Sequence, residues 1–168
     1  MRSLDATHGA VRVEDVYDTG IQDLWQACTD PRRLERWLAK VSGDLRPGGT
    51  FHAVFTSTWN GPGRVEVCEQ PRHLLLSMEP GTPDQTQIEA WLTEEAGGTR
   101  LVVEERGLPL GQLHFYGSGW QVHLEDLRRS LAEDDAAHIR VWSDQTPEPS
   151  WQERWTELTP AYQEMVVN

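Results

Sequence analysis

Between Phe51 and Glu105 the chain repeatedly alternates between inward and outward side chains, and a short turn follows each run. Phe51, Ala53 and Phe55 alternate with His52, Val54 and Thr56, which puts His52 on the surface. Val65 and Val67 alternate with Arg64 and Glu66, and Ile88, Ala90 and Leu92 with Gln87, Glu89 and Thr93. Leu74 to Met78 forms another run, and Leu101, Val103 and Glu105 form the last. A period of two is the mark of strands with one buried face. The separators are Pro47-Gly48-Gly49, Asn60-Gly61-Pro62-Gly63, Pro71-Arg72-His73 and Ala96-Gly97-Gly98-Thr99. These are too short for a crossover, so the strands must run antiparallel. Val11, Val13 and Val16 add a strand over about residues 10–18, giving six or seven in all.

Helical spacing interrupts this pattern at two places. After the first strand, Asp18 or Thr19 can cap a helix carrying Ile21, Leu24, Trp25 and Cys28 at steps of three and four. Asp30-Pro31 starts a second: the carboxylate caps free N–H groups, and proline sits where its missing N–H costs nothing. Leu34, Trp37 and Leu38 then share a face. Beyond Gly107, Pro109 and Gly111, a long helix begins between Leu113 and Gly119 and runs to about Glu133. Its apolar stripe is Trp120, His123, Leu124, Leu127 and Leu131. Strand, two helices, strand meander and long helix together predict an α+β domain over residues 1–134, with that helix on the concave face of the sheet.

Residues 135–168 differ in character. Asp134 to Pro149 reads as a linker containing Trp142. Ser150 and Glu153 form a capping box, followed by Trp151, Trp155 and Leu158 at helical steps. Thr159-Pro160 should restart a separate turn carrying Tyr162, Met165 and Val166. Three of the eight tryptophans lie here, so the extension should pack on the domain or across a homodimer. Trp91, on the polar side of its strand, should be covered by this tail or by a partner.

The formal charge is −12, and half of it lies from Ala132 onward, where eight acids face only Arg140 and Arg154. That disfavours nucleic acid and anionic membrane surfaces as partners. The Met1 to Asp5 start has no apolar core and no apolar run approaches bilayer length, which predicts a cytoplasmic protein. Cys28 and Cys68 have neither zinc-like spacing nor a disulfide framework and read as buried apolar side chains. His8, His52, His73, His114, His123 and His138 show no paired metal-ligand spacing. No Gly-rich loop joins a strand to a helix, and no nucleophilic triad assembles from local spacing. Neither metal nor cofactor is expected.

Several segments, in order, resemble the SRPBCC or START-like superfamily and, within it, the domain related to the heat-shock-protein ATPase activators. They are Ile21-Gln22-Asp23-Leu24-Trp25, Asp30-Pro31 through Trp37, and Asp44-Leu45-Arg46-Pro47-Gly48-Gly49-Thr50-Phe51. Gly63 to Leu74, Gly98-Thr99-Arg100-Leu101, and Gly119-Trp120 through Leu127 complete the set. The resemblance covers about residues 10–133 and implies a helix-grip fold, with a curved sheet wrapped around the long helix and an internal cavity. It does not select one task, because members bind lipids, hormones or polyketides, cyclise aromatics, or assist chaperones.

Three functions follow as expectations. The first is binding of a small apolar or aromatic molecule between sheet and helix. The second is a cyclase, dehydratase or hydrolase in the same cavity. The third is a co-chaperone or regulatory interaction module. His123 lies on the helix stripe among apolar residues, where an unpaired imidazole would cost about 1–3 kcal/mol. It is the first candidate for a polar anchor or acid–base group. Glu105 continues the inward Leu101, Val103 alternation near the mouth and can pair with His123, Arg106 or a ligand. Phe51, Phe55, Trp59, Ile88, Tyr116 and Trp120 are the expected walls, with Trp120 placed there by the resemblance.

Overall fold

The computed structural model describes residues 1–132 and 146–165. Of the features read from sequence, Glu133, Asp134, Asp135, His138, Arg140, Trp142, Asp144 and Val166 lie outside the described residues. The elements are β1 (Arg2–Ser3), β2 (His8–Tyr17), α1 (Ile21–Thr29), α2 (Pro31–Leu34) and β3 (Ala39–Gly43). Then come β4 (Thr50–Phe55), β5 (Asn60–Glu69), β6 (His73–Met78), β7 (Thr86–Glu95) and β8 (Gly98–Pro109). A 3₁₀ turn over Leu110–Gln112 leads into α3 (Leu113–Ala132), and α4 spans Pro149–Gln163. No helix among the described residues is long and apolar enough to cross a membrane.

The eight strands among the described residues join one antiparallel sheet in the order β1-β2-β8-β7-β6-β5-β4-β3. β3 to β8 form a sequential meander, while β2 pairs with β8 at the far side. The two short helices therefore carry the chain from one side of the sheet to the other. Asp30 caps α2 as expected, its Oδ1 accepting from Arg32 N at 2.8 Å. Trp37 locks the pair, its indole N–H donating to Ala27 O at 2.9 Å from a buried position. α1, by contrast, begins at Gly20 with no side-chain cap, because Thr19 Oγ1 bonds the Asp23 carboxylate instead. Register shifts between Gly9 and Ala10 and between Val65 and Val67 mark bulges, which increase local bend and twist. β1 and β3 add two strands that the sequence reading did not separate.

The two faces of the sheet are finished differently. On the concave side Val11, Glu105, Ile88, Leu76 and Val65 stand in one cross-strand row. Phe51 pairs with Gly63, and a Cβ there would collide with the Phe51 ring. On the convex side Glu89 and Glu104 lie directly opposite each other, a pairing that repels unless charge intervenes. Arg106 supplies that charge, with Nη1 at 2.5 Å from Glu89 and 3.2 Å from Glu104. Arg2 adds a 2.6 Å contact to Glu104, and His73 a 2.8 Å contact to Glu89. Burial works against the Glu89 carboxylate, but the hydrogen bonds from His73 and Arg106 outweigh it and hold its pKa below the usual range. His73 also stacks on Trp91, with ring centroids 5.9 Å apart. This half-buried tryptophan is thus covered by a neighbouring strand, and the expected cover by the tail is not found among the described residues.

α3 lies across the concave face with Trp120, His123, Leu124 and Leu127 buried. Its C-terminal half is tied to β2. Tyr17, 1% exposed, donates its hydroxyl to Leu124 O at 3.0 Å. Arg128 lies over the Tyr17 ring, 5.2 Å from its centroid, and pairs with Asp15 at 2.7 Å. Removing that hydroxyl with Tyr17→Phe should destabilise the protein by about 1 kcal/mol, the net worth of a buried hydrogen bond. Urea unfolding would measure it, with an unchanged m-value.

α4 packs on α3. Arg154 forms a two-pronged contact with Glu125, with Nε and Nη2 both at 2.9 Å, and Tyr162 donates its hydroxyl to Gln121 Oε1 at 2.9 Å. Two expectations are corrected here. The capping box is not used: α4 starts at Pro149 with Glu148 at the cap and no side-chain cap bond, since proline at the first position sets the start. Nor does Pro160 restart a turn, because the helix continues through it. Thr159 Oγ1 bonds Trp155 O at 2.8 Å within that turn, and docking on α3 holds the helix together. Gly117 permits the docking, since a Cβ there would enter the Tyr162 ring. Alanine is intrinsically about 1 kcal/mol better than glycine in a helix. Gly117→Ala should nevertheless lower stability and expose α4 to limited proteolysis, by displacing Tyr162.

Candidate functional site

Beyond the Tyr17 anchor, two hollows lie against the concave face of the sheet. The larger is a cavity of about 710 Å³ at the end where α3 begins. The smaller, about 120 Å³, is lined almost entirely by apolar side chains between the sheet and α1–α2. Trp120, Phe55, Met78 and Ile88 line both and form the partition. Of the expected walls, Phe55, Trp59, Ile88, Glu105, Tyr116, Trp120 and His123 line the larger cavity, whereas Phe51 lines only the smaller. Cys28 and Cys68 also face the smaller hollow, half-buried rather than fully buried, as free thiols. Burial pushes the Cys28 thiol up to about 12, which makes it inert as a nucleophile at neutral pH.

His123 is 4% exposed and sits in a ring of aromatic side chains. Phe55, Trp120 and Trp151 have centroids 6.0, 5.7 and 5.5 Å away. Its Nδ1 lies 3.3 Å from the Thr56 hydroxyl, a partner that alternation on β4 alone did not suggest.

Glu105 is the most constrained group. It is 8% exposed and points inward from β8, as its alternation requires. Trp120 Nε1 donates to one oxygen at 2.6 Å and Thr86 Oγ1 to the other at 3.1 Å. Pairing with Arg106 does not occur, because adjacent strand residues point to opposite faces and Arg106 is spent on Glu89 and Glu104. Burial raises the Glu105 pKa, and the two hydrogen bonds only partly offset it. A group whose folded pKa is raised stabilises the fold fully below its ordinary glutamate pKa and loses that contribution as pH rises through the folded value. The Glu105→Gln variant should therefore gain stability relative to the parent as pH rises. Denaturant unfolding of both proteins at about pH 4 and about pH 8 checks the sign.

α4 supplies a wall that reading the strands and α3 did not locate. Trp151, 5% exposed, reaches the cavity beside His123, and Trp155 stacks on Phe115 at 5.5 Å. Trp155 Nε1 donates to Phe115 O at 3.0 Å. The Trp151 indole N–H is buried and has no hydrogen-bond partner among the described residues. The four-residue spacing of these tryptophans was the visible signal, but it could not say which surface they cover.

The sequence profile of the activator of Hsp90 ATPase homolog 1-like proteins matches residues 18–132. The chain belongs to this family. Its helix-grip architecture is that of the START-like superfamily, as the ordered segments implied. No curated protein matches the chain. Among solved structures, the crystal structure of CalU16 from Micromonospora echinospora is 28% identical, covers 92% of this chain and 85% of its own, and has a TM-score of 0.71. The solution structure of CalU16 gives 29% identity, 96% of both chains and a TM-score of 0.71. DynU16, a protein in the dynemicin biosynthetic locus, is 26% identical with a TM-score of 0.67. It matches 73% of this chain, and the match spans about half of DynU16, 47%. The Hsp90-activator-like profile ends where α3 ends, so α4 lies outside it. The 96% match to CalU16 leaves out fewer residues than α4 contains, so that relative shares part of the extension.

Proposed function

We propose that this protein binds a small, largely aromatic molecule in the larger cavity, with α4 as one wall. The observation that carries the reading is the cavity of about 710 Å³, a size suited to one drug-sized ligand, with Phe55, Trp59, Trp120, Trp151 and Trp155 among its walls beside polar groups such as Glu105 and His123. His123 and Trp151 lie side by side on that wall. Leaving an indole N–H buried without an acceptor costs about 1–3 kcal/mol, and a small shift of the Trp151 ring that opens it to the cavity would let a ligand carbonyl, ether or hydroxyl oxygen regain that. The ligand is thus a flat apolar body with at least one acceptor. DynU16 comes from a biosynthetic locus, and natural products accordingly belong among the compounds tested. Catalysis in the same cavity would draw on Glu105 as a buried acid, but it too requires this binding step first.

The test is thermal unfolding against lipids, polyketides and aromatic natural products. A ligand at about a hundred times its Kd adds roughly 2.7 kcal/mol, or a rise of about 5–10 °C in Tm for a chain of this size. Trp151→Phe should weaken an acceptor-bearing aromatic ligand by about five- to ten-fold, one hydrogen bond's worth. No shift across the whole collection would remove the reading.

A further inference from the structure

We propose that this cavity selects a molecule whose aromatic or apolar body carries a basic amine, and that Glu79, Asp84 and Glu105 make the selection. The inference rests on the cavity being a binding site and adds the charge of its occupant. All three carboxylic acids line the cavity, and among the described lining residues there is no lysine or arginine. His8 and His123 are the basic side chains there. The three acids bear on one point of the wall. The half-buried Tyr116 phenol has its pKa raised first by burial, then by the fields of Glu105, Glu79 and Asp84 together.

These acids differ from those on the outer face. Glu104 and Glu89, equally part of the sheet, are each held by an arginine. Glu105 is held only by the neutral donors of Trp120 and Thr86, and no cationic side chain among the described residues pairs with Glu79 or Asp84. Glu79 and Asp84 therefore leave negative charge at the mouth that no side chain among the described residues neutralises, and an ammonium group beside Glu105 would favour the charged form that burial disfavours. Aromatic faces add to it, because their quadrupoles also attract cations. Trp59, Trp120, Trp151 and Trp155 all line this space. The net charge of −12 deepens the same field and favours the approach of a cation. An anionic ligand of the same shape meets repulsion at every one of these groups. A neutral one leaves them uncompensated.

Three methoxynaphthalene probes, each keeping the same ether acceptor and differing in one other substituent, test this by titration calorimetry on the full chain: the aminomethyl compound, the corresponding alcohol, and the corresponding carboxylic acid. The amine should bind at least about ten-fold more tightly than the alcohol, with the acid weakest, and added salt should narrow the gap. The double variant Glu79→Gln/Asp84→Asn should reduce the amine's advantage over the alcohol to about three-fold or less, with cooperative thermal unfolding of the variant reporting that the fold is intact. Equal binding of amine and alcohol overturns the amine selection and leaves the cavity reading standing. An amine preference untouched by the double variant overturns the assignment to these acids. Binding of none of the three, in a protein that unfolds cooperatively, overturns both.

Discussion

The indole of Trp120, hydrogen-bonded through Nε1 to the buried carboxyl of Glu105, is the strut on which the site depends. It reaches from α3 to Glu105, in an otherwise apolar row on the sheet, and separates the larger cavity from the hollow beneath α1 and α2. At the other end α3 is drawn tight against β2 through Tyr17, Leu124, Arg128 and Asp15. With the Trp120 indole bonded between them, α3 and the sheet cannot close at Glu105. The cavity is a consequence of that geometry and does not require missing core residues.

Glu104 and Glu105 show how one residue's step changes the chemistry of a carboxylate. Both are buried, at 6% and 8% exposure. Glu104 faces outward into Arg2 and Arg106, so its charge is matched. Glu105 faces inward and meets only neutral donors, so burial dominates and raises its pKa. The first belongs to a network that secures the convex face. The second is available to whatever enters the cavity.

The extension changes the meaning of the family core. The profile shared with the Hsp90-activator-like proteins ends with α3, yet Trp151 and Trp155, both from α4, line the larger cavity. Gly117 makes this joint possible, since any side chain there would meet Tyr162. α4 is therefore part of the site's construction: the core supplies the acids of the cavity, and the extension supplies two of its aromatic walls.

The strands, the long helix and the Asp30-Pro31 start were legible because their signals are local: period-two alternation, helical spacing, and a cap whose hydrogen bond forms within two residues. The same alternation put Glu105 inside and His52 outside. β3 escaped notice because Ala39-Lys40-Val41-Ser42-Gly43 is short and acquires its strand state only by pairing with β4. The capping box and the break at Pro160 were locally sound signals overridden by the proline at the head of α4 and its docking on α3. Tertiary structure alone decided that Glu105 binds Trp120 rather than Arg106, that His123 meets Thr56, that Trp151 and Trp155 line the cavity, and that His73 stacks on Trp91. Sequence patterns report which face of an element turns inward. Which groups meet there depends on contacts between residues far apart in the chain, and these exist only once the sheet has curved.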